Sequence, residues 1–118
     1  MVRDHSKLRA FELADSLAVE TYKQTRQLPK DELFGLTSQM RRAAVSAASN
    51  IVEGCSRSST TEYVRFLEVA YGSARELEYQ ISLSVKLGYL TDVHDFAAMA
   101  LETCKVLNGL IRSLRSTQ

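Results

Sequence analysis

The sequence predicts an all-α chain folded as an antiparallel up-down-up-down four-helix bundle, and three observations carry that prediction. Apolar and small residues recur at spacings of three and four in four separate stretches, the period of one helix face. One proline and five glycines in 118 residues leave few breakers, which favours long helices over a sheet. The links between the stretches are short, and short links join neighbours of opposite direction.

The first helix is expected over about 7–27, with Phe11, Ala14, Ala18, Tyr22 and Thr25 on one stripe and Leu8 beside it. Leu13 and Leu17 fall on another side, and apolar residues off the core stripe point to a second subunit, so these two are the expected oligomer contacts. Lys23, Arg26 and Lys30 stand near the helix end, where cations suit the macrodipole. Pro29 closes this segment, and Asp31 is expected to cap a second helix over about 32–55 that stops at Gly54.

That second helix carries the most information. Leu36, Met40, Ala43, Ala47 and Asn50 form its seam, and the surrounding alanines and serines invite close approach by another helix. Ser59 and Glu62 then make a capping box that opens a third helix over about 60–87, with Tyr63, Leu67, Ala70, Ala74, Leu77 and Ile81 on its seam. The small residues from Ala70 to Ala74 match those of the second helix, so the two are expected to pack face to face. Leu87-Gly88-Tyr89-Leu90 is a turn. Thr91 is the expected cap of a fourth helix over about 92–115, with Val93, Ala97, Ala100, Cys104, Leu107, Ile111 and Leu114 in register.

A chain of this length buries about two thirds of its unfolded surface, so one domain over 1–118 needs no staples. Cys55 and Cys104 lack Cys or His neighbours at ligand spacing, which suits ordinary thiols in a reducing cytoplasm. The N-terminus has no apolar signal core, and no uncharged run is long enough to span a bilayer. Net charge is +1, so any basic site has to be local rather than a global field.

Motifs for chemistry are missing. Neither His5 nor His94 has a glutamate three residues before it, which removes the carboxylate-bridged di-metal bundle. There is no G-x-S-x-G, no phosphate-binding glycine loop and no H-E-x-x-H, so no enzyme, no metal and no cofactor are expected. Asn50, Glu53 and Glu76 stand on or beside the seams of the two small-residue helices and are read as structural polar groups, with a polar pocket as the alternative. Arg41, Arg42, Arg57 and Arg65 are the basic residues that helix ends leave unexplained. No acid stands three or four positions from Arg41 or Arg42, so their partner lies on another helix, on another subunit, or on an anion. Ion pairing and phosphate binding both suit a planar guanidinium.

With LTSQMRRAAVSAASNIVEG from Leu36 to Gly54, then Arg57 and Glu62, RFLEVAYGSARELE from Arg65 to Glu78, and LGYL from Leu87 to Leu90, the sequence resembles the four-helix-bundle family of 23S rRNA intervening-sequence proteins. The resemblance extends to KLRAFELADSLAVETYKQT and the Leu28-Pro29 turn, nearly the whole chain. It implies a bacterial cytosolic bundle assembled as a homopentamer, with a proposed link to RNA. A related family of retroelement accessory proteins forms a similar pentameric barrel that contacts nucleic acid. Ala47 and Ala48 stand where the family pattern has isoleucine and proline, which implies a straighter helix. The expected function is a non-enzymatic oligomeric binding module for structured RNA or DNA, in which Arg41, Arg42, Arg57 and Arg65 contact phosphates repeated around the ring. The alternative is a protein-interaction scaffold with those arginines in intersubunit salt bridges.

Overall fold

The structure is a computed structural model and describes residues 3–117; the expected domain limits at 1 and 118 lie outside them. Four helices pack against one another, α1 (Arg9–Thr25), α2 (Leu36–Cys55), α3 (Thr60–Lys86) and α4 (His94–Ser116), with no strand among the described residues. Each helix contacts two others in cyclic order, α1 on α2, α2 on α3, α3 on α4 and α4 on α1. The α1–α2 edge therefore faces away from the α3–α4 edge. The bundle measures 45 × 23 × 19 Å, its long dimension set by the 27 residues of α3.

In α1 the buried positions are Ala10, Ala14, Leu17, Thr21 and Thr25. This corrects the expectation for Leu17, which is wholly buried in the chain's own core and is closed to any second subunit. Leu13 stays half-buried. The stripe is rotated because threonines can go inside by bonding their own helix. Thr21 Oγ1 donates to the Leu17 carbonyl and Thr25 Oγ1 to the Thr21 carbonyl, both at 2.7 Å. Tyr22, expected on the core stripe, turns outward instead.

The start of α2 also differs from expectation. Residues Lys30–Glu32 form a 3₁₀ turn, and Gly35, with φ −113° and ψ −114°, delays the helix to Leu36. Its cap is Glu32 rather than Asp31. Glu32 Oε1 accepts from the Leu36 amide at 3.0 Å and Oε2 accepts from the Tyr89 hydroxyl at 2.9 Å. These bonds hold the Glu32 carboxyl below its usual range, the Leu36 amide contributing most. At the other end Gly54 lies inside the helix rather than stopping it. A Cβ there would stand 2.9 Å from Phe66 Cβ and 3.1 Å from Tyr63 Cδ1. Glycine lets α2 and α3 touch.

Ser59 caps α3 as expected, accepting from the Glu62 amide at 3.1 Å. That helix ends in a Schellman turn around Gly88, whose φ is +79°, with the Tyr89 amide reaching the Ser84 carbonyl at 2.9 Å. Asp92 occupies the left-handed region, φ 52°, and α4 begins at His94 without a side-chain cap, so Thr91 does not cap it.

The interior falls into two clusters. One gathers Ala47, Ile51, Cys55, Tyr63, Leu67 and Leu107 around the α2–α3 turn. The other gathers Leu17, Leu36, Met40, Leu77, Ile81 and Phe96 around the α1–α2 and α3–α4 links. Where the two clusters meet, their members Ala44, Ala47, Ala70 and Ala74 are fully buried, the close α2–α3 approach that the small residues predict.

Candidate nucleic-acid interface

Arg41 is held in place before any ligand arrives. Its Nε donates to Thr25 Oγ1 at 2.9 Å, and its guanidinium carbon lies 4.7 Å from the centre of the Tyr22 ring. The Thr25 hydroxyl is itself fixed by its bond to the Thr21 carbonyl. Among the described residues no acid pairs with Arg41, and its bond to Thr25 engages Nε rather than the terminal nitrogens. A guanidinium with Nε engaged still presents two parallel donors, the fork that a phosphate or carboxylate accepts.

Arg42 is exposed beside it and forms no ion pair among the described residues. It joins Tyr22, Leu33, Phe34, Thr37, Ser38 and Arg41 in a shallow depression of about 320 Å³ on the α1–α2 edge. On its other side it shares a depression of about 340 Å³ with Gln39, Ser46, Ser73 and Glu76. Lys23 and Arg26 extend the basic edge along α1, with Val19 and Tyr22.

Arg57 is engaged differently. It forms an ion pair with Glu53 at 2.9 Å, lies 4.6 Å from the centre of the Phe66 ring, and its carbonyl accepts from Arg3 Nη1 at 3.0 Å. Arg65 is exposed, without an ion pair among the described residues. The four arginines thus form two groups. From Arg42 to Cys55 the helix climbs thirteen residues, about 20 Å at 1.5 Å per residue, so Arg57 and Arg65 stand at the far end of α2 from Arg41 and Arg42.

The three polar residues divide as well. Asn50 is not on the core seam, where Ile51 is buried instead. It sits at the α2–α3 edge, its Nδ2 donating to the Ser46 carbonyl at 2.8 Å and to Ser46 Oγ at 3.0 Å. Ser46 Oγ in turn meets Ser73 Oγ across the interface at 2.8 Å. Glu53 is exposed and serves Arg57. Glu76 is exposed in the depression it shares with Arg42.

Sequence reasoning missed Phe34, which is 94% exposed, and it placed Tyr22 inside. A signal for Phe34 was present: an aromatic residue in the connector, off every stripe and followed by glycine.

Fold and site together define a small all-helical bundle protein with a preorganised basic and aromatic edge. Among the described residues no group of three or more metal-ligating side chains occurs, and no helix is long and apolar enough to cross a membrane. The chain belongs to the 23S rRNA-intervening sequence protein family, whose family model matches residues 6–109. It is similar in fold to a solved protein of unknown function from the S23 ribosomal protein family of Bacteroides thetaiotaomicron, with a TM-score of 0.80 and 23% identity over 87% of this chain and 95% of that one. No curated protein matches the chain.

Proposed function

We propose that the chain is a non-enzymatic binding module for structured RNA or DNA, built as a ring of five antiparallel bundles and working in the cytoplasm. The observation that carries this reading is the Arg41 guanidinium, braced by Thr25 and Tyr22 with its terminal nitrogens unused and Arg42 beside it. Bracing in advance removes part of the ordering cost of binding. Family membership adds the link to RNA genes. The antiparallel topology is supported by the clusters, since one core draws the start of α1 together with the ends of α2 and α4. Self-association has an apolar groove available on the α3–α4 edge, where Ile81, Val85, Val93, Ala97 and Leu101 line about 410 Å³. That edge faces away from Arg41 and Arg42, so a neighbour seated in it does not cover them from that side, and one nucleic acid spanning several subunits adds modest sites together.

The test is a titration of labelled RNA hairpin and duplex DNA across a salt series, with the double variant Arg41→Glu/Arg42→Glu after its oligomer mass is verified. Affinity is expected to fall steeply with salt, and the variant to bind at least tenfold more weakly with a slope shallower by about two. Absence of binding at low salt would leave the scaffold reading. The Glu53–Arg57 pair inside one chain bears on the first reading alone, since it removes part of Arg57 from any phosphate contact and leaves Arg41 and Arg42 to carry it.

A further inference from the structure

The phosphate reading leaves unexplained why this basic edge carries exposed aromatic surface. Phe34 is 94% exposed, Leu33 beside it 50%, and Tyr22 across the depression 44%. Leaving large apolar side chains in water forgoes a stabilisation that most chains collect. Nor does Phe34 hang on a loose loop. It lies between Glu32, tied to both the Leu36 amide and the Tyr89 hydroxyl, and the first turn of α2. The ring is therefore presented from a fixed support.

We infer that the depression between Phe34 and the Arg41–Tyr22 stack binds unpaired nucleotides, the Phe34 ring stacking on a base while Arg41 and Arg42 hold the flanking phosphates. This rests on the nucleic-acid reading above and narrows it to single-stranded segments: loops, bulges or ends. Three features select that ligand. Its cations, Lys23, Arg26, Arg41 and Arg42, line the same run of surface as the aromatic groups, which complements a polyanion that also carries flat apolar faces. A base paired in a duplex offers no free face, so the Phe34 ring has use only for an unstacked one. Ser38, half-buried, lines the same depression and carries a hydroxyl of the kind that bonds a base edge or a 2′-hydroxyl.

An apolar edge is equally a place where a second copy of the chain can sit, and one experiment separates the two. Binding of a dye-labelled unstructured RNA oligonucleotide and of a dye-labelled RNA duplex is measured by anisotropy for the full chain and for Phe34→Ala, with light-scattering mass recorded for both. Phe34 is so exposed that its removal leaves the core untouched. The expected result is an affinity for the unstructured strand about tenfold weaker in Phe34→Ala, an unchanged salt slope, an affinity for the duplex within about twofold of the parent, and an unchanged mass. Equal binding of the unstructured strand by both proteins overturns base stacking while leaving the phosphate reading standing. A smaller assembly in Phe34→Ala overturns it too, and assigns the edge to contact between copies. If the unstructured strand and the duplex both fail to bind the parent at low salt, the phosphate reading falls together with this one.

Discussion

Single side chains in this protein do work that their type alone does not announce. Thr25 bonds inward to the Thr21 carbonyl and outward to Arg41, so Thr25→Val is expected to keep the fold but free the guanidinium, weakening nucleic-acid binding several-fold with an unchanged salt slope. Gly54 is under the opposite constraint. Gly54→Ala pushes a methyl group into Tyr63 and Phe66 and is expected to cost about 1–3 kcal/mol, read as a lower urea midpoint. Gln80 has no hydrogen-bond partner for its buried Oε1 among the described residues, and Gln80→Met is expected to raise that midpoint by the equivalent of about 1 kcal/mol. The thiols belong to the same scale. Burial pushes Cys104 up to about 11, with the Glu78 carboxylate adding to it, and burial also raises Cys55. The folded chain therefore keeps its protons where the unfolded chain loses them. Stability from these groups is complete below about pH 9 and is lost as pH rises toward 11, which a series of urea midpoints from pH 8 to 10.5 checks.

The elements were legible where pattern and capping agree. Ser59 and Glu62 announce the start of α3, and the structure begins that helix at Thr60. Legibility failed where the backbone decides against the pattern. Gly35 and the positive φ of Asp92 delay two helix starts, and neither departure has a periodicity to betray it. It failed again in α1, where self-bonding threonines displaced Tyr22 from the interior and drew Leu17 in. Arg41 and Arg42 were legible as unpaired along their own helix, but the bracing of Arg41 by Thr25 and Tyr22 joins residues 16 and 19 positions apart, beyond any local spacing. Glu32 supplies a test at this scale. Its carboxyl sits below the ordinary value of 4.5 because the Leu36 amide and Tyr89 hydroxyl favour the ionised form. Its contribution is present above that value and lost as pH falls through the lowered one, so the exchange protection factor of the Leu36 amide, corrected for the intrinsic rate, is expected to drop on acidification before those of α3 do.

For the whole molecule, the cyclic order of helices separates two edges of different character: a basic, aromatic edge on α1 and α2, and an apolar groove on α3 and α4. Leu101→Asp, on the groove, is expected to reduce the assembly mass and to weaken binding of a long nucleic acid that spans several subunits, while a short oligonucleotide that reaches one site binds as before, a pairing of light scattering with titration that a shared edge would not reproduce. The twin cores carry a consequence of another kind. A bundle whose interior is two knots of large side chains meeting at a band of alanines resembles two fasteners on one set of rods, with most of the apolar surface buried at the ends and little at the middle. Arg41 and Arg42 stand over one fastener, Arg57 and Arg65 over the other. Each pair thus rests on its own knot of large side chains, and a cavity cut into one knot removes packing beneath that pair alone.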